Sequence, residues 1–121
     1  DELIGYRLSE REKELADIKK ELERLSEVGS VEERVSYARS AFTRYPNDYE
    51  IRDNLAVCLY FVWQESHNES LIGEIENLLR TVVNECANEN TRYDAINTLV
   101  SLYSESGQKD KITELVSCSL P

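Results

Sequence analysis

NLAVCLY, residues 54–60, is answered 43 residues later by NTLVSLY, residues 97–103. Asn54, Val57, Leu59 and Tyr60 return as Asn97, Val100, Leu102 and Tyr103. Around both stretches the apolar residues recur every three or four positions, the spacing of one face of an α-helix. Ile51, Leu55, Leu59 and Val62 make the stripe around the first, and Ile96, Leu99, Val100 and Tyr103 around the second. A repeat at an interval of roughly 20 to 50 residues marks stacked helix pairs, which bury faces that no single pair could bury alone. The two heptads therefore read as one packing surface used twice.

Cap signals set out the other helices. Ser30-x-x-Glu33 has capping-box form, in which the Ser oxygen and the Glu carboxylate take up amide donors that lack helical partners. It opens a helix with Val31, Val35, Ala38 and Phe42 on one side, and Pro46 closes it, because the residue before a proline avoids helical geometry. Asn47 or Asp48 caps the helix that carries the first heptad. Its second half, LAVCLYFVW from Leu55 to Trp63, is apolar nearly all round, as in a helix enclosed by neighbours. HNES, residues 67–70, is a polar break before a fourth helix with Leu71, Ile75, Leu78, Leu79, Val82, Val83 and Cys86 on a wide stripe. Thr91-x-x-Asp94 is expected to open the fifth helix, and Gly107 to close it in the left-handed conformation. A short sixth helix holds Ile112, Leu115 and Val116. Upstream, Ser9-x-x-Glu12 is expected to cap a first helix bearing Leu15, Ile18, Leu22 and Leu25, stopped by Gly29. No strand alternation and no hairpin turn is found. The chain reads as all-α, about six helices paired as antiparallel hairpins.

The bulk composition narrows the function. The 121 residues suit one domain, and 40% hydrophobic residues supply a core. A net charge of −10 repels phosphates, so this polypeptide is not expected to grip nucleic acid or an anionic membrane. No apolar run approaches the roughly 18 residues of a membrane span. Cys58, Cys86 and Cys118 stand far apart on apolar helical faces, which suits buried thiols in a reducing, cytoplasmic setting rather than a disulfide framework. With His67 the lone histidine and no CxxC pair, no metal site is expected. His67 lies in a polar loop beside Ser66 and Ser70, which read as helix-end residues rather than nucleophiles. No Gly-rich phosphate loop and no calcium loop is present, so no cofactor and no enzymatic activity is expected. The sequence contains no Met, and we expect it to be a piece of a longer protein.

The stretch AFTRYPNDYEIRDNLAVCLY, residues 41–60, resembles the junction of two tetratricopeptide repeats (TPR). Ala41-Phe42 stands before Pro46, and the Asn54-Leu55-Ala56 triplet follows it by eight residues. Leu99, Tyr103 and Gly107 match the Leu-x3-Tyr-x3-Gly portion of the pattern. Trp63 stands where the pattern has Gly, Ala87 where it has a second Pro, and the 43-residue interval exceeds the usual 34 residues of the TPR. Over nearly its whole length the chain also resembles the C-terminal repeat region of XRE-type, Cro-like helix-turn-helix transcriptional regulators of Gram-positive bacteria. The segments that carry this are YRLSEREKELADIKKELERL, RYPNDYEIRDNLAVCLY, RYDAINTLVSLYSESGQKDK and the closing Ser119-Leu120-Pro121. The resemblance implies a TPR-like α-α superhelix over residues 30–121, preceded by a linker or capping helix over residues 1–29. It further implies a regulatory or assembly role, with DNA bound by a separate module of the whole protein. The rival reading is a generic protein-interaction scaffold with no link to transcription.

Two surfaces follow. Solenoids bind along a surface lined by the first helix of each pair. By the repeat match, Asp53, Asn54, Val57 and Tyr60 would line it, with Asn97 and Ser101 from the next unit. Asn side chains can both donate to and accept from an extended peptide backbone, and the acidic setting should favour a polar or cationic protein or peptide. The second surface is the seam of Leu15, Ile18, Leu22 and Leu25, with Leu8 one heptad earlier. It either joins two copies of the chain as a coiled-coil homodimer or lies as a cap on the first repeat.

Overall fold

The structure, a computed structural model, describes the backbone of residues 2 to 119 and the side chains of residues 10 to 117. Leu8, Cys118 and the side chains of the closing Ser119-Leu120-Pro121 lie outside that range. The described residues form six helices: α1 (Glu2–Val28), α2 (Val31–Arg44), α3 (Tyr49–Ser66), α4 (Ser70–Glu85), α5 (Glu89–Glu105) and α6 (Lys109–Ser119). The fold is all-α.

Local chemistry sets the helix ends. Ser30 Oγ accepts from the Glu33 N–H at 3.2 Å, and Asp48 Oδ1 accepts from the Ile51 N–H at 3.1 Å. Gly107 takes a φ of 77°, and the Gln108 N–H reaches back to the Tyr103 carbonyl at 2.7 Å. That left-handed exit satisfies carbonyls the helix would otherwise leave open. His67 closes α3 in the same conformation with φ 54°, its ring edge-on to Trp63 at 5.6 Å.

Two expected starts differ. Thr91 does not open α5; Asn88 does, and its Oδ1 accepts from the Thr91 N–H at 3.1 Å. An Asn three residues upstream offers the same oxygen and the longer helix. Ser9 does not begin α1 either, since the helix runs through it from Glu2.

Each helix packs on the next, and α3 also lies against α5. α3 is thus enclosed by α2, α4 and α5, which accounts for its apolar second half. Ile51, Leu55, Leu59, Ile75, Leu79, Leu99, Leu102 and Tyr103 are sealed in the core. Val116 departs from expectation: Leu115 turns inward while Val116 stays 41% exposed on the outer side of α6.

Polar ties cross the stack. Arg39 of α2 grips Glu74 of α4 through both amino groups at 2.9 and 3.0 Å. Glu76 of α4 accepts from Tyr103 of α5 at 2.7 Å and from Lys111 of α6 at 3.2 Å. Exposed pairs of the first kind contribute about 0–1 kcal/mol each, so apolar burial carries the stability.

The seam of α1 has one outcome. Ile18, Leu22 and Leu25 are buried within the chain's own structure, and Leu15 packs partly against the same core. α1 lies along α2, and Lys19 bridges to Asp48 and Glu50 at the start of α3. α2 offers the seam an apolar partner within the chain. Within the chain, Leu15, Ile18, Leu22 and Leu25 thus lie as a cap along α2.

Candidate functional site

The two heptads end up side by side. α3 and α5 are neighbours, and the residues of each that face the other's flank leave a groove of about 360 Å³. From α3 come Asp53, Asn54, Val57, Tyr60 and Phe61. From α5 come Asp94, Asn97, Thr98 and Ser101. All six residues that the repeat match places on a binding surface line this one groove.

Asp94, Phe61 and Thr98 are additions. Positions 94, 97, 98 and 101 form one stripe of a helix, with spacings of three and four. Following that stripe one turn upstream of Asn97 leads to Asp94. The signal was hidden because Asp94 also fits a capping box behind Thr91, and that box is not used.

The walls are held by their own hydrogen bonds. The Asn54 amide donates to the Glu50 carbonyl at 2.9 Å, which fixes the side chain and leaves its carbonyl oxygen as an acceptor. Thr98 Oγ1 donates to the Asp94 carbonyl at 3.0 Å. At the far end, Tyr60 Oη donates to Glu105 Oε2 at 2.6 Å, and Gln64 Nε2 reaches both Tyr60 Oη at 3.0 Å and Glu105 Oε1 at 3.2 Å. Burial, then the hydrogen bond and charge of Glu105, push the Tyr60 phenol up to about 12. Tyr60 is therefore a neutral wall. Phe61, 37% exposed at the rim, carries the Arg34 guanidinium of α2 over its ring at 5.5 Å.

Asp53 is the exception in this setting. It is only 8% exposed, and its Oδ1 is shut off from solvent without a hydrogen-bond donor. The group that reaches it is another carboxyl, Asp94, across from α5. Burial first, then the hydrogen bond and charge of Asp94 and the charge of Glu50, together push the Asp53 carboxyl up to about 9. Two carboxyls so close cannot both ionise at little cost, so Asp53 keeps its proton. An acidic pair with a resident proton thus sits in the wall of a polar groove.

The remaining candidates are structural. Ser66 Oγ accepts from the Asn68 N–H at 3.3 Å, and Ser70 Oγ donates to Asn68 Oδ1 at 2.8 Å. Both hydroxyls serve the turn around His67, and neither is set against it as nucleophile to base. Cys58 and Cys86 are free and buried, and burial pushes the Cys58 thiol up, away from the reactive thiolate. Among the described residues, no helix is long and apolar enough to cross a membrane. Comparison with protein-family models, with curated proteins and with solved structures gives no match.

Proposed function

We propose that this chain is a non-catalytic interaction module, a TPR-like stack whose α3–α5 groove receives an extended peptide or protein segment. The observation that carries the reading is the groove's lining: it comes from the two helices that carry the repeated heptad, with Asn54 and Asn97, the matching residues of the two, both on it. Asn54 and Asn97 supply amides of the kind that bond a peptide backbone, Val57 an apolar floor, and Asp53 and Asp94 an acidic wall. This setting favours polar or cationic partners.

The resemblance to XRE-type regulators supplies the biological role: a cytoplasmic sensing or assembly domain of a bacterial transcriptional regulator, which itself pairs as a dimer on DNA through another part. Two buried free thiols are consistent with a reducing compartment. A peptide in the groove would shift the arrangement of the DNA-binding modules only so far as it prefers one arrangement over the other. Isothermal titration with two heptapeptides, identical but for a central Arg or Glu, tests the binding mode. Tighter binding of the Arg peptide is expected, and tighter binding of the Glu peptide would refute it. The regulatory role predicts that the coding sequence upstream of Asp1 specifies a basic helix-turn-helix. Any other domain there would favour the scaffold.

A further inference from the structure

We propose that the Asp53–Asp94 pair is a subsite for one basic side chain, an arginine or lysine of the peptide in the α3–α5 groove, an inference that rests on that groove's being a peptide site. Asp53 is more than nine-tenths buried and lines the groove, and its Oδ1 has no donor. A buried carboxyl oxygen without a donor is costly to a fold unless something completes it. Among the described residues, the group that reaches it is a second acid.

The cations nearby are turned elsewhere: Arg52 of α3 lies over Phe42 and reaches the Pro46 carbonyl, with its Nε buried and unpartnered. Arg34 of α2 lies over Phe61, and Lys19 of α1 is held by Asp48 and Glu50. Glu50, one turn before Asp53 on α3, adds negative charge to the same side. The groove's lining comes from α3 and α5, so Asp94 is the titratable group that faces Asp53 from across it. A guanidinium has the planar fork of donors that two carboxylates accept.

The exchange balances simply. Before binding, Asp53 carries a proton. An arriving guanidinium brings one positive charge, the proton leaves to solvent, and both carboxylates then face the cation. Binding therefore releases one proton wherever the pair is singly protonated, and cation affinity rises by up to tenfold per pH unit as the pH climbs towards the point where the proton is already gone. Arginine stays charged throughout this range, so the dependence belongs to the pair.

The test is a chemical-shift titration of the chain, following backbone amides and aspartate carboxyl carbons, with N-acetylarginine amide and its uncharged isostere N-acetylcitrulline amide. At pH 7 the arginine probe should shift Asp53, Asn54 and Asn97 resonances and bind at least tenfold more tightly than citrulline. Its affinity should rise several-fold at pH 8. In Asp53→Asn the amide can still donate to Asp94, so the fold is kept while the arginine preference disappears; Asp94→Asn should act alike, and circular dichroism verifies both folds. Arginine preference surviving in both variants, or calcium perturbing the two carboxyls at lower concentration than arginine, would overturn the subsite. Equal shifts from arginine and citrulline would also overturn it but leave the groove standing. Silence at Asn54 and Asn97 with these probes and with both heptapeptides would remove the groove as well.

Discussion

Tyr60 and Tyr103 hold the same place in the repeated heptad, and each donates its hydroxyl to a carboxylate on a different helix, but in opposite directions along the stack. Tyr60 of α3 reaches forward to Glu105 of α5, and Tyr103 of α5 reaches back to Glu76 of α4. Tyr103 is also fully enclosed and accepts from Arg80 at 3.1 Å, so its hydroxyl joins a carboxylate and a cation where that of Tyr60 joins a carboxylate and an amide. Removing the Tyr103 hydroxyl leaves a cation and a carboxylate each short of a partner at a partly buried place. Tyr103→Phe should cost about 1–2 kcal/mol in urea denaturation, and Tyr60→Phe about half that, because Gln64 keeps its hold on Glu105. A larger loss for Tyr60→Phe would contradict this ordering.

Asp53 sets a pH dependence of stability. Its carboxyl is raised in the folded chain, chiefly by burial, to about 9, against an ordinary 3.8. Between those values the folded state holds a proton that the unfolded state has lost, so stability falls as pH rises, by at most about 1.4 kcal/mol per pH unit. Asp53→Asn removes this proton. Denaturation midpoints measured from pH 5 to 8.5 should decline for the parent and run nearly level for the variant, with the variant the more stable at pH 8. Parallel profiles would show that Asp53 does not hold the proton.

The α1 seam makes a prediction about molecularity. Leu22 is 4% exposed within its own chain, so Leu22→Ala should cost about 2–5 kcal/mol through lost burial and the cavity left behind. The melting temperature of parent and variant should not depend on protein concentration. A midpoint that climbs with concentration, and a variant that flattens the climb, would return the seam to an interface between copies.

Gly29 and Gly107 end helices for different reasons. A Cβ on Gly29 would fall 2.9 Å from the Leu25 carbonyl oxygen, whereas a Cβ on Gly107 meets open space but sits at a φ of 77°. Gly107→Ala should therefore cost about 1 kcal/mol, and Gly107→Asn less, since Asn tolerates the left-handed region. Equal costs for Ala and Asn in thermal melts would point to a cause other than backbone conformation.

Much of the fold could be read from residues three or four apart. Ser30, Asp48 and Gly107 act on amides and carbonyls within their own turn, so their neighbours in sequence are their neighbours in space. The start of α5 was misread for the same kind of reason, because Asn88 and Thr91 both offer a capping oxygen and only the extent of packing chooses between them. Val116 has the spacing of a core residue, yet α6 closes the described stack on one side only, so part of its apolar stripe meets solvent.

What the chain alone determined is that six amphipathic helices form, and that two of them carry the same heptad. Periodicity and caps are local, and local physics decides them. Tertiary structure alone decided which faces meet. It laid the α1 seam on α2, and it brought Asp94 across to Asp53, 41 residues away in the chain. The Asp53 proton is held by burial and by a second carboxyl brought against it, and no spacing along a sequence can state that distance.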